Sequence, residues 1–199
     1  MTPRATVSAF GSSSPDEGTE EYGTARRLGT ALAEAGFDLC NGGYGGTMAA
    51  GARGAQDAGA GTTGIILSGS PRQANRWIDE VIQADSLWDR MRTLMARADA
   101  FAVLPGGTGT LAELAMMLEL INKDVIEFAP AALVGGYWGP LVNLMGDEDI
   151  LREEYGLVPV DGVEVRGAVG MANEPEQAAR WLEANVQGRA DEARWRPVP

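Results

Sequence analysis

Apolar positions along this chain come in short runs that alternate with longer stretches of helical period. The runs at Ala5–Phe10, Phe37–Cys40, Thr63–Leu67, Ala100–Leu104, Ala131–Val134 and Gly162–Val165 read as strands, because unbroken apolar or small residues between turn formers suit strands buried on both faces. The segments Gly18–Ala35, Thr47–Ala58, Leu87–Ala98, Thr110–Asn122, Trp138–Gly146 and Glu174–Val186 read as helices. Alternation of the two predicts an α/β fold, a Rossmann-like doubly wound parallel sheet flanked by helices on both faces. Residues 1–186 read as a single nucleotide-binding domain. The polar tail Gln187–Pro199 is expected to be partly disordered or packed on a partner subunit. Gly69–Asn75 reads as a loop, and the extended piece Trp77–Ile82 is expected to lie over the site as a lid.

Two helices depart from a plain amphipathic pattern. Thr110–Asn122 is apolar almost all round, so it is either deeply buried or at a subunit interface, and a homodimer is expected. In Leu87–Ala98, the residues Leu87, Met91, Leu94, Met95 and Ala98 form a buried stripe, with Arg90 and Arg97 along its edge. An arginine there either reaches along the sheet toward a strand-end crevice or stays at the surface in an ion pair.

Composition then narrows the chemistry. The chain has 199 residues, a net charge of −12 and no histidine, which excludes Ser-His-Asp and Cys-His catalysis and every His-ligated metal site. The acidic balance argues against nucleic acid and anionic membranes as partners. No apolar run reaches the roughly 18 residues that cross a bilayer, and the N-terminus shows no signal-peptide pattern, so a cytoplasmic location is expected. Cys40, the only cysteine, reads as a small core residue rather than a nucleophile. Lys123, the only lysine, follows a helix end and is poorly placed for a pyridoxal-phosphate Schiff base. No Gly-Lys-Ser/Thr P-loop is present.

Three predicted strand ends carry turns rich in small residues: Gly11-Ser12-Ser13-Ser14, Gly42-Gly43-Tyr44-Gly45-Gly46 and Pro105-Gly106-Gly107-Thr108-Gly109-Thr110. Ligands of open parallel sheets bind beyond the carboxyl ends of the strands, so the set converges on a nucleotide-sized crevice. The third turn opens a helix, whose unpaired N–H groups and positive dipole end favour an anion, most often a phosphate. The candidate phosphate-binding and nucleotide-binding residues are Gly106, Gly107, Thr108, Gly109, Thr110, Gly11, Ser12, Gly42 and Gly43. Gly107–Ala112 also fits the dinucleotide fingerprint G-x-G-x-x-A, but mid-chain and after Pro-Gly, where that fingerprint is foreign. Glu113 has two readings. Thr110-x-x-Glu113 is a capping box, and a carboxylate folded back on its own helix cap is withdrawn from chemistry.

The Pro-Gly-Gly-x-Gly-Thr-x-x-Glu motif at Pro105–Glu113, led in by Ala98-Asp99-Ala100-Phe101 and preceded by the arginine-bearing helix, resembles the LONELY GUY family of cytokinin-activating phosphoribohydrolases, often mislabelled lysine decarboxylases. The similarity runs from Ala5 to about Leu144. It implies hydrolysis of the N-glycosidic bond of a nucleoside 5′-monophosphate, AMP or a cytokinin ribotide, to free base and ribose 5-phosphate, without cofactor or metal. It also implies that the Gly106–Thr110 turn holds the 5′-phosphate and that the catalytic pair Arg90 and Glu113 sits at the ribose; charge building on the sugar ring as the base leaves suits an ionised Glu113, with Arg90 holding the phosphate or fixing Glu113. The chain departs from the family where Met-His-x-Arg-Lys is replaced by Leu87-Trp88-Asp89-Arg90-Met91, so that one cation becomes a thioether. The alternative is a noncatalytic nucleotide- or molybdenum-cofactor-binding protein of the same superfamily.

Overall fold

The computed structural model describes residues 4–186, and the predicted tail Gln187–Pro199 lies outside them. One eight-stranded sheet runs β4-β3-β2-β1-β5-β6-β8-β7. Its strands are β1 (Thr6–Phe10), β2 (Asp38–Asn41), β3 (Thr62–Leu67), β4 (Glu80–Ala84), β5 (Ala100–Val103), β6 (Ala131–Val134), β7 (Val163–Arg166) and β8 (Val169–Ala172). Every pairing is parallel except the β7–β8 hairpin. The helices are α1 (Glu20–Glu34), α2 (Thr47–Asp57), α3 (Leu87–Ala96), α4 (Thr108–Asn122), α5 (Gly139–Leu144), α6 (Asp149–Arg152) and α7 (Pro175–Val186). Among the described residues no helix is long and apolar enough to cross a membrane.

The apolar runs become central strands because both faces are covered. All four residues of β5 are buried, with Ala100 and Ala102 toward α1 and α7, and Phe101 and Val103 toward α3 and α4. Successive side chains of a strand alternate between faces, so one four-residue run serves two cores. From β1 the chain builds outward to β2, β3 and β4, then returns to the other side of β1 as β5 and continues to β6. That reversal is the topological switch point of a doubly wound sheet, and it sets the turns after β1 and β5 side by side.

On the α1–α2 face the helices approach backbone to backbone. A methyl on Gly29 would lie 2.0 Å from the carbonyl oxygen of Gly51, and one on Gly54 would lie 2.0 Å from that of Arg26. Glycine is therefore required at this crossing for lack of volume rather than for turn geometry.

Several expectations change. Trp77–Ile82 is not a lid: residues 80–84 form β4, paired in register with β3 from Thr63↔Glu80 to Leu67↔Ala84. Its Glu80 and Gln83 are exposed because β4 is a sheet edge, which gives it a polar sequence. The last predicted strand is the first half of a hairpin whose second strand, β8, pairs with β6. Gly170 masked that strand in the sequence, and it is glycine because the Trp181 ring lies 2.8 Å from where its Cβ would stand. Leu87, assigned to the buried stripe of α3, is 58% exposed at the start of the helix.

Substituting Gly29 or Gly54 by alanine should lower the unfolding free energy by about 1–3 kcal/mol through overpacking. Gly23→Ala on the open face of α1 should raise it by roughly 0.5–1 kcal/mol. Urea denaturation read by circular dichroism checks both signs.

Candidate functional site

The site is assembled at the carboxyl ends of β1, β2, β3 and β5. After β1, the Ser12 carbonyl accepts from both the backbone N–H and the hydroxyl of Thr47, each at 2.9 Å, which fastens this turn to the start of α2. Gly11 leaves room for that hydroxyl, since a Cβ would stand 2.4 Å from it. After β2, Asn41 is buried and closes the turn from inside. Its amide donates to the Met48 carbonyl at 3.0 Å, and its Oδ1 accepts from the Gly43 N–H at 2.8 Å. The sequence reading passed over Asn41, although a polar residue closing an apolar strand just before Gly-Gly was a usable signal.

After β5 the chain turns through Pro105, Gly106 and Gly107 directly into α4. Thr110 packs its hydroxyl so tightly against Gly106 that a Cβ there would lie 2.1 Å away. Tyr137 donates to the Gly106 carbonyl at 3.0 Å, and the Trp138 indole donates to the Leu104 carbonyl at 3.0 Å, so this turn is braced from the β6 side. The helix starts at Thr108 with Gly107 as its cap residue, and no side chain caps it. Its first N–H groups are therefore left without intrahelical partners, beside exposed Gly107, Thr108 and Gly109.

That start overturns the capping box. Thr110 is the third residue of the helix rather than its cap, so Glu113 has no cap to fold back on. Glu113 instead points into the interface of α3 and α4, 3.8 Å from Nη1 of Arg90, with the two side chains only 14% and 11% exposed. Arg90 is held more firmly elsewhere. Its Nε donates to the Ile65 carbonyl of β3 at 2.7 Å, its Nη2 donates to the Gly42 carbonyl after β2 at 3.0 Å, and its guanidinium lies 5.4 Å from the centre of the Tyr44 ring. Gly42 is glycine because a Cβ would stand 2.0 Å from Nη2.

The electrostatic consequence falls on Glu113. Burial pushes its carboxyl up to about 7, and the neighbouring Arg90 charge only partly opposes the shift. No described donor is within hydrogen-bonding distance of the carboxylate, and an ion pair at 3.8 Å is too long to repay its desolvation. Near neutral pH Glu113 is thus divided between acid and carboxylate, not the fully ionised group expected from the chemistry of the sugar ring.

The other predicted residues sort clearly. Gly42 and Gly43 are buried and hold Arg90 and Asn41, so they shape the site from behind. Arg97 is a surface residue paired with Glu80 at 3.0 Å and takes no part. Cys40 is buried in the core, where desolvation pushes its thiol up to about 11. Met91 is buried within α3. A cleft of about 1330 Å³ opens along α1 and α7 on the other side of the turns and is lined by Ser12, Thr47, Pro105 and Gly106, but by neither Arg90 nor Glu113. Among the described residues no cluster of metal ligands is present.

The model of the SLOG cluster4 family matches residues 4–137, a span that takes in all three glycine turns, Arg90 and Glu113. The chain belongs to the SLOG cluster4 family. A cytokinin riboside 5′-monophosphate phosphoribohydrolase of Mycobacterium tuberculosis is 38% identical over 112 residues, 55% of this chain and 59% of that protein. A probable cytokinin riboside 5′-monophosphate phosphoribohydrolase of Oryza sativa is 34% identical over 143 residues, 68% and 57% of the two chains. The chain thus matches under three fifths of each of these two relatives. They bear out the resemblance to the LONELY GUY family. The molybdenum cofactor carrier protein of Chlamydomonas reinhardtii superposes with a TM-score of 0.69 at 20% identity, over 91% of this chain and 97% of that one, which shows a shared fold.

The raised carboxyl predicts a pH signature in the folding of this chain. Below about 4.5, the unfolded value, Glu113 is neutral in both states and costs nothing; as pH rises toward about 7 the folded state is increasingly penalised for keeping the proton or burying the charge. Glu113→Gln should therefore match the wild type at pH 4 and exceed it by up to a few kcal/mol at pH 8, measured by urea unfolding at both pH values.

Proposed function

We propose that this SLOG cluster4 protein hydrolyses the N-glycosidic bond of a nucleoside 5′-monophosphate to free base and ribose 5-phosphate. The observation that carries the reading is a largely buried carboxyl, pushed up to about 7, on the helix whose first N–H groups follow the Gly106-Gly107 turn with no side chain capping them. The 5′-phosphate is held by the backbone of Gly106–Thr110 with help from Gly11 and Ser12 across the switch point. Three residues beyond Thr110, less than one turn further along α4, Glu113 reaches the sugar.

The chemistry follows from the carboxyl's two forms. As the C1′–N bond breaks, its electron pair leaves with the base, and the protonated carboxyl supplies the proton that the base nitrogen takes up. The sugar is left with positive charge, which the resulting carboxylate stabilises. Water adds to C1′ and returns its proton to Glu113, so the residue ends as it began. Arg90 acts by position, facing Glu113 from α3 and partly opposing the rise of its carboxyl. The cytokinin ribotides named for the relatives belong to this substrate class.

A second reading, nucleotide or molybdenum-cofactor binding without turnover, is favoured by one feature. Met91 is an uncharged, buried thioether beside Arg90, where the LONELY GUY pattern carries lysine. Incubation with AMP and a cytokinin ribotide, followed by chromatography, should detect free base, and Glu113→Gln should slow its release by about 10²–10⁴-fold. Saturable binding with no base released would favour the second reading.

Leu87 and Trp88 on α3 and Leu111 on α4 are exposed apolar side chains on the two helices that cover one face of the sheet. A second copy of the chain is the proposed occupant of that face. Light scattering should give twice the 21.0 kDa of one chain, and Trp88→Glu combined with Leu111→Glu should reduce it to one.

A further inference from the structure

We infer that Tyr137 is a positioning residue that keeps the turn after β5 open to a phosphate, by holding the Gly106 carbonyl away from the helix it would otherwise join. The inference rests on the preceding reading of that turn as the seat of a nucleotide 5′-phosphate.

Two carbonyls of the turn could begin α4. The Gly107 carbonyl accepts from the Leu111 N–H at 3.0 Å, four residues on, as a helix start requires. The Gly106 carbonyl stands one residue earlier, and its helical partner would be the Thr110 N–H. It accepts instead from the Tyr137 hydroxyl at 3.0 Å, 31 residues away in sequence. Among the described residues the N–H groups of Gly107 and Thr110 then have no acceptor, although Thr110 is only 3% exposed. A buried donor without a partner is unfavourable, and an anion seated on the turn would supply the partner.

Peptide geometry couples the two donors. The Gly106–Gly107 peptide is trans and planar, so its N–H points opposite to the carbonyl that Tyr137 holds. Turning that carbonyl toward Thr110 would reorient the Gly107 N–H and occupy the Thr110 N–H, so an anion would lose two donors at once. Glycine on both sides of the bond leaves the rotation unhindered by side chains, and the restraint has to come from outside the turn. Tyr137 supplies it from the 3₁₀ turn Gly136–Trp138 that follows β6. Its ring is 56% exposed but stands edge-on to Trp138 at 4.8 Å, and Trp138 is buried with its indole bonded to the Leu104 carbonyl. That second bond anchors the turn without presenting a donor, because the Leu104 carbonyl is joined to Pro105, which has no N–H. Nor is the Tyr137 hydroxyl a donor to the phosphate itself. It has one proton, and the Gly106 carbonyl takes it.

Tyr137→Phe removes one oxygen from an exposed ring and should leave urea unfolding nearly unchanged. Calorimetric titration with inorganic phosphate, ribose 5-phosphate and AMP should show each bound about two- to tenfold more weakly by the variant. Adenosine, which lacks the phosphate, should bind the variant and the wild type alike. In turnover the loss should fall on KM for AMP rather than on kcat. Equal weakening of AMP and adenosine, or phosphate affinity unchanged in the variant, overturns the inference, and hydrolysis still stands where the wild type releases base. Selective loss of phosphate affinity in Tyr137→Phe with no base released by the wild type supports the inference and overturns hydrolysis. A wild type that binds none of the three phosphorylated probes overturns both.

Discussion

The interaction on which the rest of the structure depends is the commitment of one buried guanidinium to three elements. Arg90 starts on α3, bonds the ends of β3 and β2 through the carbonyls of Ile65 and Gly42, and presents its remaining nitrogen to Glu113 of α4. A charged hydrogen-bond donor buried this deeply is tolerated only when its protons are used. Satisfying them fixes how the strand ends meet the helices. Gly42 is glycine because Arg90 passes through the space of a side chain, and Tyr44 is held against the same guanidinium. The residue assigned to catalysis on resemblance is therefore also the keystone of the local fold.

That dual role explains how Glu113 comes to titrate near neutrality. An arginine with free donors would form a close, bidentate pair and hold a carboxylate fully ionised. Here the arginine is spent on backbone carbonyls, the nearest nitrogen is 3.8 Å away, and burial wins. The same arrangement places the carboxyl on the helix that offers its N-terminus to an anion. The doubly wound topology supplies the rest, since its switch point brings the β1 and β5 turns together however far apart they are in sequence.

Much of this was legible in the sequence, and the losses have physical causes. The central strands were readable because burial on both faces demands unbroken apolar runs, as in β5. The edge strand β4 read as a lid because an edge needs polar residues, and β8 was missed because Trp181 requires Gly170 in mid-strand. Arg90 and Glu113 were both found, yet spacing alone left each with a structural alternative. Their meeting depends on α3 crossing to the α4 side of the sheet, and neither helix encodes that by itself. The capping-box reading failed by three residues: the cap is Gly107 rather than Thr110, α4 begins at Thr108, and the same Thr-x-x-Glu spacing falls inside the helix. Asn41 and Asn75 carry no motif, because their work is to satisfy the backbone of glycine turns that have no side chains of their own.

The central claim is that Glu113 is held as a proton-exchanging carboxyl by a guanidinium that is occupied elsewhere. Its most direct test is side-chain carboxyl ¹³C NMR of the wild-type protein, with the Glu113 resonance assigned by its loss in Glu113→Gln. The account predicts a titration midpoint at about 7. A midpoint at or below the ordinary value of about 4.5 would contradict it, for it would mean that Arg90 holds Glu113 as a plain ion pair.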